Sequence, residues 1–396
     1  MTSIQFDLVR GRSTGYWGVL AVLIVLVVAG LAAAHYMDLY GHHVTGMNNQ
    51  VVWGVPHVFA VFLIVSASGL LNVASLASVF RQPLYKPLAR LSGLLAIMFL
   101  VGGLVILVLD LGRPERLIVA MTHYNLKSIF AWNIFLYVGF ILIVVAYVVT
   151  MFEHHLGRYS GAIGLFAMLW RIVLTTGTGS IFGFLVARQA FDAAIMAPLF
   201  ILMSLAYGTA IFVLFWWGAL RLCGREMEPA IAQRLGRLLA IFVAATLYLT
   251  LIYHLTNLYA SEHHGVERFV LLEGGIYTLL FWVGQVVVGG AIPLLLLWRF
   301  VSTGKSEIAV VASVLIVAGG LAQLYVIIVG GQAYPLTLFP GSDVTSPFFD
   351  GVVGRYIPSA PEFALGVGGA SLAILLSLLA MRILPFLPGA LPVARR

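Results

Sequence analysis

The sequence predicts an all-α integral membrane protein, and three observations carry that prediction. Of the 396 residues, 61% are hydrophobic and 9% charged, and the mean hydropathy is +1.04, whereas a soluble domain carries about 25% charged residues. The apolar residues fall in runs of about 20, long enough to cross a hydrocarbon core of about 30 Å as helices. Hydrophobicity does not alternate within these runs, which excludes the strands of a membrane barrel, the other spanning structure that satisfies its own backbone.

Ten transmembrane helices are expected, near residues 17–36, 52–80, 91–111, 129–152, 162–186, 194–219, 238–260, 274–298, 307–329 and 361–385. Each run ends at polar residues or at Gly and Pro. The first ends in AAAH, yet its apolar stretch is longer than the core of a signal peptide, so a retained anchor helix is expected. With the N-terminus in the cytoplasm, fifteen of the 22 Lys and Arg residues lie on inner segments and six (Arg113, Arg116, Lys127, Arg188, Arg268, Arg355) on outer ones. The positive-inside rule then places both termini in the cytoplasm. It also accounts for the net charge of +7 without a nucleic-acid partner.

An internal echo organises the spans. RLSGLLAI (90–97) and RLGRLLAI (234–241) agree at six of eight positions, and LYVGF (136–140) echoes FWVGQ (281–285). Spans two to five and six to nine therefore read as two four-helix bundles related by a parallel repeat, with an extra helix at each end of the chain. The expected units are 1–51 (anchor helix and outer loop), 52–190 (first bundle), 191–329 (second bundle) and 330–396 (outer loop and last helix). At the repeat offset Asp110 matches His254.

Protonatable groups crowd the outer side, which holds ten of fifteen carboxylates and eight of ten histidines. The densest stretch is 110–133, DLGRPERLIVAMTHYNLKSIFAWN. Ionised side chains cost about 2.5–3.5 kcal/mol at mid-membrane even on the mildest scale, so this stretch reads as the lid of a polar pocket at the outer interface. His57 and His254 lie about a turn inside their spans, whereas His42, His43, His263 and His264 read as loop residues. Arg171 lies within the fifth span, followed by Thr175, Thr176, Thr178 and Ser180. Two readings of it stand, a polar proton path and a snorkelling arginine bonded to backbone carbonyls. The single cysteine, Cys223, cannot hold an iron–sulfur cluster or an intrachain disulfide.

Five stretches carry a resemblance: NNQVVWGVPHVFAVFLIVSASGLLNVAS (48–75), DLGRPER (110–116), YNLKSIFAWN (124–133), TTGTGS (175–180) and GGQAYP (330–335). Together they resemble the NrfD/polysulfide-reductase family of membrane subunits, in particular its ten-helix branch found in Dsr sulfur-metabolism complexes and periplasm-facing hydrogenases. The resemblance implies a subunit of a bacterial or archaeal cytoplasmic membrane that binds no haem, iron–sulfur cluster or metal of its own. Such a subunit exchanges electrons between menaquinone or ubiquinone and a periplasmic ferredoxin-like iron–sulfur partner, within a larger complex. The family's quinone histidine falls on His57 and its acidic position on Asp110. Where many members carry Tyr-Thr-Gly, this chain has Thr175, Thr176 and Gly177.

The residue chemistry is compatible with that role. Quinone reduction takes up two electrons and two protons, so its site needs a proton donor, an apolar slot and a route to water. Imidazole titrates near 6.5, which suits His57 as proton donor, with Asp110 orienting it. Tyr124, Ser128, Trp132, Asn133 and Thr176 are the further expected quinone contacts, although Tyr124 and Trp132 also fit an interfacial aromatic belt. Arg171, His254 and Glu273 are the expected proton-path residues. The long outer segment 330–360 reads either as a cap on the bundles or, with 110–128, as the docking platform for the periplasmic partner. Two other function classes remain open: a di-haem cytochrome b ligated by His57 and His254, and a secondary transporter built on the repeat and Arg171.

Overall fold

Among the described residues ten long apolar helices run through the molecule, and one of them is enclosed by the others over nearly its whole length. The computed structural model describes residues 6–9, 11, 13–336 and 351–389. The helices are α1 (Thr14–Tyr40), α2 (Val55–Ser78), α3 (Pro83–Leu109), α4 (Ile129–Phe152), α5 (His155–Ile181), α6 (Met196–Leu222), α7 (Pro229–Tyr259), α8 (Ile276–Thr303), α9 (Ser306–Ala333) and α10 (Ala360–Ile383). Each has at least 24 residues, or about 36 Å at 1.5 Å per residue. The protein is therefore a multi-pass integral membrane protein. Each expected span corresponds to one helix, but α3, α5 and α7 begin roughly eight residues early. Their first turns carry polar residues, such as Gln233, Arg234 and Arg237 in α7, so hydropathy falls there while the backbone stays helical.

The packing forms two closed sets. Helix α2 touches α3, α3 touches α4, α4 touches α5 and α5 returns to α2; α6, α7, α8 and α9 repeat the pattern. The sets meet mainly where α2 lies on α6, so α2 is 94% buried, against 22% for α8 at the periphery. Backbones touch at this crossing: a Cβ on Gly69 would stand 1.6 Å from the Ser204 carbonyl oxygen. Small residues allow such an approach where lipid offers no hydrophobic driving force between helices.

The two chain-end helices do not flank opposite sides. Helix α1 pairs with α10 through Gly30 and Gly368, and α10 lies on α2 and α3 of the first bundle, where Gly369 meets Gly102. The chain ends also meet, since Phe6–Asp7 pairs antiparallel with Leu387–Pro388.

Helix α2 is interrupted at Leu71, between Val55–Leu70 and Asn72–Ser78. Ser92 of α3 repairs the break, its Oγ donating to the Leu70 carbonyl at 2.6 Å and accepting from Ala74 N at 3.0 Å. Inside a bilayer such groups must be satisfied by protein. In the second bundle, Leu280–Ala291 and Val326–Gly330 are π-helical.

Two buried side chains position the start of α2. Glu362, the N3 residue of α10, accepts from Gly46 N at 2.9 Å, Ser359 N at 2.7 Å and the Tyr356 hydroxyl at 2.6 Å, and that hydroxyl accepts from Val55 N at 2.7 Å. Gln332 Oε1 accepts from Val52 N and Trp53 N, each at 3.0 Å, while Nε2 donates to the Trp53 carbonyl at 3.0 Å. The GGQAYP motif thus acts on the helix that carries His57. Part of the long outer segment, including Phe349, lies outside the described residues.

Candidate functional site

His57 is the third residue of α2, whose start is set by Gly54 at the cap and Pro56 in the first turn. Asp110 directly follows the last helical residue of α3, its amide bonded to the Ile106 carbonyl at 2.9 Å. Because α2 and α3 are consecutive antiparallel spans, these two ends coincide. His57 Nδ1 stands 3.0 Å from Asp110 Oδ2, and the carboxylate side chain is 1% exposed.

A second imidazole approaches from the turn His42–Val44. His42 Nε2 lies 2.9 Å from the Asp110 carbonyl and 3.7 Å from Oδ1. A carbonyl only accepts, so this nitrogen carries the hydrogen. Neither Asp110 oxygen receives an aligned hydrogen bond, and His57 Nδ1 makes none. The carboxylate is thus buried with charge nearby and its hydrogen-bonding capacity open, an arrangement that strongly favours a proton or cation among the three groups. Burial pushes the Asp110 carboxyl up, but the two imidazoles outweigh it and hold it below the ordinary carboxylate range. His42 is raised, chiefly by its side-chain contact with Asp110 and against the effect of burial.

His57 forms one wall of a cavity of about 460 Å³ enclosed by α2, α3, α4 and the end of α5. Its walls are aliphatic and aromatic, with His57, Asn133 and Tyr137 as the polar members. The short helix Leu117–Thr122 contributes Leu117 and Met121. Trp53, one turn before His57, stacks on it at 6.3 Å between ring centres and meets Phe130 and Phe182 edge-on at 6.0 Å each. Asn133 Nδ2 donates to the Gly177 carbonyl at 3.1 Å, and Tyr137 OH lies 3.4 Å from Thr178 Oγ1. Few polar groups on an apolar cavity of this volume describe a small-ligand pocket, typically about 300–1,000 Å³.

Residues 43–335, covering both bundles and beginning just after His42, match the family model described as Polysulphide reductase, NrfD. The chain belongs to the NrfD family. Helices α1 and α10 fall outside the matched region. This NrfD chain is 25% identical over 391 residues to the integral membrane subunit of an Hdr-like menaquinol oxidoreductase from Archaeoglobus fulgidus, covering 98% of this chain and 97% of that one. It is 23% identical over 405 residues to a selenate reductase subunit from Mesobacillus selenatarsenatis, covering 92% and 93%. A polypeptide of the polysulfide reductase from Wolinella succinogenes is 23% identical over 318 residues, covering 72% of this chain and 96% of that one.

In this NrfD chain the structure brings His57, Asp110 and Asn133 together, with Asp110 behind His57 rather than on the cavity wall. Tyr124, Ser128, Trp132 and Thr176 do not line the cavity. Tyr124 packs on Phe135 at 4.5 Å near the surface, and Trp132 is 51% exposed with Nε1 bonded to the Leu126 carbonyl at 2.8 Å. Ser128 is the cap of α4, while Thr176 lies beside the inward-facing Thr175 and Thr178. The expected polar pocket is therefore an apolar one. Arg113, Glu115, Arg116 and Lys127 of the lid stretch are all exposed.

The remaining expected residues are dispersed. Arg171 is buried in the first bundle, where Nη1 donates to the Ser68 carbonyl at 3.2 Å and Nη2 to Asn72 Oδ1 at 3.5 Å. It bonds a carbonyl, as the simpler reading expects, but within the bundle rather than by reaching an interface. Glu273 is exposed and pairs with Arg268 at 2.6 Å, away from His254. The carboxylate beside His254 is Glu267, 0% exposed, with Oε2 2.7 Å from Nδ1 and Oε1 accepting from Asn257 at 2.8 Å. Both bundles thus end in an imidazole–carboxylate pair, with the acid on α3 in the first and on the helix His264–Arg268 in the second. His57 and His254, the ligand pair of the di-haem reading, sit in different bundles, each with Nδ1 facing a carboxylate.

Sequence reasoning missed His42, Trp53, Tyr137 and Glu267. Tyr137 was detectable, since it lies four residues from Asn133 on the same face of α4, whereas Trp53 precedes α2 and shares no helical face with His57. His42, on the turn His42–Val44, and Glu267, on the short helix His264–Arg268, lie between the long spans, where the hydropathy of the spans offers no signal.

Proposed function

We propose that this NrfD-family protein is the quinone-interacting membrane subunit of a respiratory redox complex, exchanging electrons between the quinone pool and a periplasmic iron–sulfur subunit. The observation that carries the reading is the buried His57–Asp110–His42 array at the wall of an apolar cavity of about 460 Å³. The residues suit a quinone. An apolar slot with aromatic faces accepts the ring, and the open hydrogen-bonding capacity of Asp110 and His57 suits a site through which protons pass.

A bound quinone supplies two-electron, two-proton redox chemistry. His57 turns Nδ1 to Asp110, so Nε2 is the atom that holds or gives up a proton at the cavity wall. Asp110 orients the ring and stabilises its protonated form, as a carboxylate behind a catalytic imidazole does. His42, with its side chain 32% exposed, links Asp110 to water. Tyr137 and Asn133 bound the opposite side, and Trp53 walls the ring plane.

A relative named as a menaquinol oxidoreductase subunit supports menaquinone, and one named as a polysulfide reductase component supports a place in sulfur metabolism. A hydrogenase complex is the alternative setting. The exposed charges of 110–128, with the 330–360 segment, are proposed to receive the iron–sulfur partner at the outer face of a bacterial or archaeal cytoplasmic membrane, both termini inside. The expected domain limits are retained in this proposal, with the quinone site in 52–190. Arg171, through Ser68 and Thr175, and the pair His254–Glu267 are proposed as proton-handling groups.

The test is electron exchange with a soluble quinol analogue in the complex purified from membranes. His57→Ala and Asp110→Asn should each slow it by about tenfold to a hundredfold, matching about 1.5–3 kcal/mol for a charged hydrogen bond, while the complex still assembles. Wild-type turnover in both variants would move the site elsewhere.

A further inference from the structure

The end of the first bundle that holds the chain termini contains a second cavity, of about 560 Å³. It lies where the last residues of α2, the 3-10 turn Pro83–Leu88, the end of α4 and the start of α5 converge. Among the described residues three cations line it, Arg81, Lys86 and Arg90, and no carboxylate does. Among the described residues no acidic side chain stands within ion-pair distance of any of the three.

The cations are not equivalent. Arg90 is committed: its guanidinium donates to the Met151 and Pro385 carbonyls and lies over the rings of Phe6 and Phe152 at 3.8 and 4.4 Å. Arg81 and Lys86 are exposed and hold no partner among the described residues. Arg81 keeps a left-handed backbone (φ 52°), unusual for a residue other than glycine. The α5 wall is open, since a Cβ on Gly157 or Gly161 would meet nothing within 4 Å.

We infer that this cavity binds the phosphate headgroup of an anionic phospholipid, with Arg81 and Lys86 as its direct ligands. Uncompensated cations define the anion. Their level in the membrane defines the source: Thr150 and Met151 of the last α4 turn line the cavity, and the same ends of α4 and α5 present Val145, Val149, Leu165 and Phe166, 42–51% exposed. A phospholipid fills the cationic cavity and lays its acyl tails on that apolar face. A free phosphate ion would use only the former.

The test uses the full-length protein purified in detergent, with retained lipid read by native mass spectrometry. Phosphatidylglycerol should be retained about tenfold more than phosphatidylcholine. Each cation near a bilayer surface strengthens anionic-lipid binding about fivefold, so the double variant Arg81→Gly with Lys86→Ala should lower phosphatidylglycerol retention about 25-fold. Glycine there suits the left-handed backbone. Gly161→Leu, projecting into open space, should block retention with a lipid-free melting temperature no lower than that of the wild type; should it melt lower, the double variant decides. Equal retention in wild type and the double variant overturns the site, and displacement by millimolar inorganic phosphate overturns the lipid as its occupant.

Discussion

Replacing Gly69 by alanine tests whether the crossing of α2 on α6 holds the two bundles in register. The added Cβ would lie 1.6 Å from the Ser204 carbonyl oxygen and 2.5 Å from its carbon, where carbon contacts normally settle near 3.5–4.0 Å. The helices would have to part by about 2 Å. The facing residue is Gly208, whose own Cβ would meet the Gly69 and Leu70 backbone at 2.3–2.5 Å, so no flexible side chain can yield. Overpacking costs about 1–3 kcal/mol and occasionally more, and a backbone-on-backbone clash belongs at the upper end. Gly218→Ala on α6 is the control, because nothing lies within 4 Å of its added Cβ; it should gain about 0.5–1 kcal/mol. The two variants should therefore differ by about 3–4 kcal/mol, or on the order of 5 °C in melting temperature for a protein of this size. Thermal unfolding in detergent measures the difference. Quinol-analogue turnover adds a second readout, since His57 lies about 18 Å along α2 from Gly69 at 1.5 Å per residue. If the two variants melted together, the crossing would not be the contact that sets the bundle interface.

The paired ionisation of His42 and Asp110 predicts a pH window. His42 is raised from 6.5, so its stabilisation is full below 6.5 and fades as pH climbs through its raised value; Asp110 is lowered from 3.8, so its share is full above 3.8 and is lost as pH falls through its lowered value. His42→Gln should flatten the alkaline limb of melting temperature against pH, and an unchanged slope would contradict the pairing. Glu362→Gln replaces an acceptor of three donors by a group that itself donates; a loss of about 1–3 kcal/mol and new protease cleavage within residues 41–54 are expected, and a wild-type digest would argue against the clamp. Glu267→Ala leaves His254 and Asn257 facing an emptied buried site, at about 3–5 kcal/mol, and, with the proposed proton-handling pair broken, should lower quinol turnover per folded molecule. Wild-type turnover per folded molecule would take His254 and Glu267 out of the proton route.

Much of this was legible in the sequence. The ten spans, the DLGRPER stretch and the pairing of His57 with Asp110 could be named from residues and resemblance, because a charge or imidazole at the end of an apolar run is rare and has few places to go. Helix phase was not legible. In a soluble helix the polar face marks the outside, but in α4 both faces are apolar, since one meets lipid and the other the bundle. Asn133 and Tyr137, four residues apart, share the face that meets the cavity while Trp132 faces outward, and no pattern along α4 tells which of its faces meets the cavity.

Composition by itself determined that the protein crosses a membrane as helices, because hydrocarbon leaves the backbone no other open-ended way to satisfy its hydrogen bonds. Tertiary structure decided which groups meet. His42 reaches Asp110 across 68 residues, Gln332 fixes Trp53 from 279 residues away and Glu362 anchors Gly46 from 316. Such partnerships arise when separate helix ends are brought to one level by packing, and local sequence carries no record of that distance.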